Sequence, residues 1–185
     1  MILRVNKVVI GLLRHYKVDH KWKLFCSSLD FQNECEKYDH ANILAETYTR
    51  ETEYKIFTSA LKRSFDTAKS IFPDNKLHAT NLLNEVPISP FSNTKIKLPI
   101  TLWMLFGRIH WMKNKKTQSE NRNQTKRRME QLIEKLENEG SDCILVGHGF
   151  YFYEFSKLLE HRNYFTNGNR RLGNGEYVEY TLNFT

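Results

Sequence analysis

Little in this 185-residue chain points to a membrane span, a secreted disulfide scaffold or a metal centre. No apolar stretch reaches the ~20 residues a spanning helix needs. The opening residues, "MILRVNKVVIGLLRHYKV", are broken by Arg4, Asn6 and Lys7 and show no small-residue cleavage site, so they are read as part of the fold and not as a signal peptide. Cysteine is scarce. Cys26, Cys35 and Cys143 are odd in number and lack metal-ligand spacing, which argues against a disulfide framework and suits a reducing, cytoplasmic compartment. Asp19-His20 likewise matches no metal-binding spacing. There is no internal repeat and no low-complexity linker, so one domain is expected over 1–185.

What the chain does have is a globular composition, 40% hydrophobic and 13% aromatic, and a formal net charge of +7. That charge favours anionic partners as a class: phosphate esters, nucleic acid or a membrane surface. The basic residues concentrate between Arg108 and Arg128, through "KNKK" and "KRR". No nucleic-acid-binding motif accompanies them, so this stretch is read as a solvated helix and loop. The expected partner is a phosphorylated small molecule, with no nucleic acid and no membrane.

Apolar runs alternate with helical patterns. "KVVIGLL" (7–13) and "DCILVGH" (142–148) read as strands buried on both faces, and "EYKIFTS" (53–59) as another strand. Residues 60–72 have helical spacing, with Leu61, Phe65, Ala68 and Phe72 on one face, and Pro73 ends the run. Residues 118–138 read as an amphipathic helix with Met129, Leu132, Ile133 and Leu136 inward; a further helix spans about 150–159, and "GEYVEYTLNF" reads as a late strand. The alternation predicts a layered α/β fold: a three-layer α/β/α sandwich with a mostly parallel central sheet. A helical insertion near 98–116 interrupts the rhythm. It is rich in Trp, Met and Phe, and it packs either into the core or over a pocket, with Trp103, Phe106 and His110 as the lining.

In open α/β sheets, ligands bind beyond the carboxyl ends of the strands. Here those ends carry Arg14-His15, Thr58-Ser59 with Arg63 one turn on, and Gly147-His148-Gly149; Glu85 lies in "LLNEVPI" between the last two. Two His, two Arg and one Glu suit phosphoryl transfer. Guanidiniums can clamp phosphate oxygens, one imidazole can attack phosphorus while the other donates to an oxygen, and a carboxylic acid can protonate the leaving alcohol.

"LLRHYKV", "FTSALKRSFDTA", "LLNEVPI" and "ILVGHGF" resemble the four signature blocks of the histidine phosphatase superfamily, the phosphoglycerate-mutase-like fold. In the second block Ser59, Arg63, Thr67 and Ala68 all fall in register. The resemblance implies that His15 is the nucleophile, that Arg14, Arg63 and His148 form the phosphate pocket, and that Glu85 donates the proton. It implies an acid-type phosphatase working without metal or organic cofactor. Tyr16 stands where the family has Gly, and Lys21 where many members carry Asn; both are expected at the substrate pocket with Trp103 and Phe106. Glu120 sits in a segment that echoes part of the mutase pattern. Two other readings use the same residues: a phosphoglycerate-mutase-type phosphotransferase, and a non-catalytic phosphate-binding module.

Overall fold

Strand pairing places the expected blocks side by side. The computed structural model describes residues 8–44 and 51–182; residue 7 of the first expected strand and residues 183–184 of the last lie outside them. In chain order the elements are β1 (Val9–Arg14), β2 (Phe25–Cys26), α1 (Ser28–His40), β3 (Lys55–Ser59), α2 (Lys62–Ile71) and β4 (Leu77–Thr80). A short 3₁₀ turn (Asn81–Leu83) follows, then β5 (Leu98–Pro99), α3 (Ile100–Met112), α4 (Arg122–Glu139), β6 (Cys143–Gly147), α5 (Gly149–His161), β7 (Tyr164–Phe165) and β8 (Tyr177–Leu182). The main sheet has the order β4-β3-β6-β1-β8-β7. Its first four strands are parallel, and β8 and β7 add an antiparallel edge.

Side chains alternate across this sheet. Ile10, Leu12, Cys143 and Leu145 meet Met129, Leu132, Ile133 and Leu136 of α4 together with Phe152 and Phe155 of α5. On the opposite face Leu13, Ile56, Ile144 and Val146 meet Ala68 and Ile71 of α2. Burial on both faces is the reason β1 and β6 read as unbroken apolar runs. A satellite cluster of Cys26, Phe31, Ile100 and Trp103 joins β2, α1 and α3. Among the described residues no helix is long and apolar enough to cross a membrane.

The long helix starts later than its periodicity suggests. Asn121 is its N-cap, accepting from Gln124 N while the Gln124 side chain accepts from Asn121 N, so the first helical residue is Arg122. Gly140 ends it in the left-handed region at φ 58°. Gln118, ahead of the cap, is buried and bonds both the N–H and the C=O of Ser89.

Two expected faces are wrong. On α2 the buried residues are Arg63, Ser64, Thr67, Ala68 and Ile71, while Phe65 is exposed. The inner face of this helix covers the strand ends, where its polar side chains find partners, so polarity there does not mean exposure. On α3, Trp103 is fully buried, donates its indole N–H to the Cys26 carbonyl at 2.8 Å and packs on Phe31 and Phe91. Phe106 points outward against Phe91, and His110 bonds Thr117. The residues α3 presents to the cavity are Met104 and Arg108, one turn apart. Gly107 lets α3 approach the preceding loop closely, since a Cβ there would lie 2.3 Å from Ile88 Cγ2.

Candidate active site

β1 and β6 end in register, Arg14 opposite Gly147, and His15 N–H donates to the Gly147 carbonyl at 2.9 Å. This brings the two histidines together, with ring centroids of His15 and His148 5.2 Å apart. Arg14, His15, Arg63 and Glu85 line one cavity of about 700 Å³. His148 lies against His15, fully buried. Five residues predicted from four separated blocks therefore meet in one place.

The tautomer of His15 follows from its neighbour. Nδ1 sits 2.6 Å from the Tyr16 carbonyl, which can only accept, so Nδ1 carries the proton and Nε2 keeps its lone pair. Burial, reinforced by Arg63 and Arg14, lowers the pKa of His15 to about 4, although the bond to Tyr16 opposes the shift. The ring is thus neutral and fixed, with a nucleophilic nitrogen available at ordinary pH.

His148 is oriented by serines. The Asn84 side-chain oxygen accepts from Ala60 N–H and from Ser59 Oγ, so the one Ser59 proton is committed there. Ser59 Oγ must then accept from His148 Nε2 at 2.9 Å, and Ser64 Oγ lies 3.2 Å from the same nitrogen. Nδ1 of His148 is buried without a partner among the described residues. Burial and the Arg63 guanidinium hold this pKa well below the usual imidazole value.

Both clamp arginines have constrained surroundings. Arg14 donates Nη1–H to the Leu172 carbonyl at 2.6 Å and passes so close to Gly149 that a Cβ there would sit 2.8 Å from Arg14 Nε. Arg63 is buried, pairs with Asp39 of α1 and lies over the Tyr38 ring at 4.8 Å. Among the described residues the Nε of each arginine has no hydrogen-bond partner.

Glu85 is anchored through one oxygen. Its Oε1 accepts from its neighbour Val86 N–H and from Tyr151 N–H in the first turn of α5, at 2.9 and 3.1 Å. Arg128 holds the segment that carries Glu85, donating to the carbonyls of Asn81, Leu82 and Asn84 while its fork engages both oxygens of Glu120. Arg108 adds a bond to the Val86 carbonyl. Two arginines of the basic stretch are therefore internal to the site, and Glu120 is occupied by an ion pair.

Tyr16 does not line the cavity. Its ring is buried beside Gly175, its carbonyl orients His15 and its N–H donates to Thr67 Oγ1 at 3.0 Å. Lys21 is exposed and outside the cavity, as are the buried Trp103 and the outward Phe106. Cavity residues not anticipated from the sequence include Asp39, Asn84, Arg108 and Arg128, with Trp22 and Tyr38 as an aromatic wall. The α1 group had one legible sign, the "SSLD" capping box of Ser27 and Asp30.

The depressed His15 pKa also makes stability depend on pH. The unfolded chain takes up this proton near 6.5 and the folded chain near 4, so the stabilisation is full above pH 6.5 and is lost as pH falls toward 4. At 1.36 kcal/mol per pH unit the loss is about 3 kcal/mol. Denaturant melts of wild type and His15→Asn at pH 7 and pH 4 are expected to show a steeper acid loss for wild type by about that amount. Equal losses would contradict a neutral buried His15.

The family model of the histidine phosphatase superfamily (branch 1) matches residues 10–174. The chain belongs to that superfamily. No curated protein sequence matches it. Solved structures show the shared fold. A mycobacterial glucosyl-3-phosphoglycerate phosphatase superposes with a TM-score of 0.61 at 15% identity, covering 95% of this chain and 90% of that one. The α-ribazole phosphatase of Shigella flexneri gives 0.58 at 15% identity, over 93% and 89%. A phosphoserine phosphatase from Entamoeba histolytica gives 0.53 at 16%, over 93% and 89%. The matched range contains all four stretches that converge on His15 here.

Proposed function

We propose that this superfamily member is a phosphomonoesterase acting on a phosphorylated small molecule through a phosphohistidine at His15. The supporting observation is the neutral His15 ring, with Nδ1–H held by a carbonyl, in a cavity shared with the Arg14 and Arg63 guanidiniums. In this mechanism the guanidiniums hold the phosphate oxygens, and Nε2 of His15 attacks phosphorus in line. The P–O ester bond breaks as the N–P bond forms. Oε2 of Glu85, which the Val86 and Tyr151 amides leave unused, gives its proton to the departing alkoxide. The Glu85 carboxylate then takes a proton from water as that water attacks the phosphohistidine, releasing phosphate and restoring Nε2. His148 Nδ1 has no partner among the described residues; an incoming dianion favours its protonation and gives it an oxygen to donate to.

The first test is hydrolysis of p-nitrophenyl phosphate at mildly acidic pH, with acid-quench analysis for acid-labile, base-stable phosphate. Absence of both would remove the proposal. A sharper test concerns the acid. Glu85→Gln keeps an oxygen for both amides, so the fold is expected to survive. Turnover of alkyl phosphates should drop about 10²–10⁴-fold. Nitrophenolate leaves without a proton, so p-nitrophenyl phosphate should lose far less. Equal losses on both substrates would exclude Glu85 as the donor.

A further inference from the structure

We propose that Arg108 is a second anion subsite, so that the preferred substrates are phosphomonoesters whose apolar or aromatic body carries a carboxylate. The inference rests on the phosphatase reading and adds the substrate class to it.

At about 700 Å³ the cavity exceeds what a phosphate group fills. Away from the phosphate position one side of it is apolar. Trp22 stacks on Tyr38 with centroids 5.0 Å apart, and Ile88, Met104 and Phe150 also line it. Such walls suit a planar or aliphatic body.

The cavity arginines divide by partner. Arg63 is neutralised by Asp39 and Arg128 by Glu120. Arg14 stands beside His15 at the phosphate position. Arg108 is left over. Its guanidinium lies 3.8 Å from the Phe150 ring centroid and its Nη1 donates to the Val86 carbonyl at 3.1 Å. Among the described residues it makes no other hydrogen bond and has no carboxylate within 4.0 Å. Burial lowers its pKa, because removing a cation from water is costly, and Glu85 is the strongest charge opposing the shift. A half-buried guanidinium with no acid in contact is costly for a protein to keep unless a ligand brings the anion. Its planar fork matches a carboxylate through two parallel N–H bonds.

The test compares 3- and 4-carboxyphenyl phosphate with the matching carbamoyl compounds, which keep the shape and lose the charge. Wild type should prefer the carboxylates about tenfold or more in kcat/KM. In Arg108→Gln the ratio should fall toward one, with Arg108→Lys between. A ratio taken within each enzyme cancels any general loss of activity. A wild-type ratio near one overturns the inference. So does a preference for phenylene bisphosphates with none for the carboxylates, which would make the subsite a phosphate site. Carboxy- and carbamoyl-benzylphosphonates are bound by calorimetry in parallel, because their affinity does not depend on turnover. Tighter binding of the carboxylate without hydrolysis of any ester would keep the subsite and reject the phosphatase reading. Equal affinity would reject the subsite itself.

Discussion

Replacing His15 by alanine is expected to lower turnover by about four orders of magnitude or more while the protein stays folded. Loss of a covalent nucleophile is usually of this size, because the remaining groups bind and polarise the substrate but form no bond to it. Here the second imidazole cannot substitute. His148 is fully buried, and its Nε2–H is committed to Ser59. The fold should tolerate the change because β1 is held by backbone pairing to β6 and β8. The variant loses one side-chain bond, from Nδ1 to the Tyr16 carbonyl, and also a ring whose protonation is suppressed by burial. Circular dichroism, thermal melting and steady-state rates decide the matter. A variant that retains a few per cent of wild-type turnover would show that the chemistry does not pass through His15. One that unfolds would make His15 primarily structural.

The second large effect is expected at Arg63. Arg63→Lys keeps the charge, yet kcat/KM should fall about 10²–10³-fold, the range found when one preorganised donor to a developing negative charge is lost. Lysine can still reach toward Asp39, but it offers a point charge where arginine offers a rigid fork. In the native site Nη1 is taken by Asp39, while Nε has no partner among the described residues. Arginine can therefore satisfy α1 and a ligand together, which a single ammonium does less well. Asp39→Asn should be milder, since it loosens the fork without removing it. Rates on p-nitrophenyl phosphate for both variants, with melting temperatures, separate the cases. Near-normal activity of Arg63→Lys would place the phosphate elsewhere.

How much of this was legible in sequence differs by element. Apolar runs marked β1, β3 and β6, because strands covered on both faces must be apolar along their length. Polar residues at the ends of those runs marked the site, because parallel strands bring their carboxyl ends to one edge. Arg14, His15 and His148 stand at such ends, with Arg63 one turn into the next helix and Glu85 in a loop between them, and it was the resemblance to the family pattern that put Ser59, Arg63 and Thr67 in register. The two faces that were misread have different causes. Periodicity distinguishes faces only where they differ in polarity, and α3 is apolar on nearly every side, so it carries no pattern to choose Met104 and Arg108 over Trp103 and Phe106. On α2 the inward face is polar because it covers a site.

The sequence by itself therefore determined the layered α/β scaffold and the residue types that gather at its edge. The tertiary structure alone decided what surrounds them. Asp39 reaches Arg63 from α1, Arg128 grips three carbonyls before Glu85 from α4, and Arg108 turns inward from α3. These partners lie 20 or more positions apart along the chain. Local pattern reports the conformation of neighbouring residues, whereas the pairing of a buried charge depends on which helices pack together.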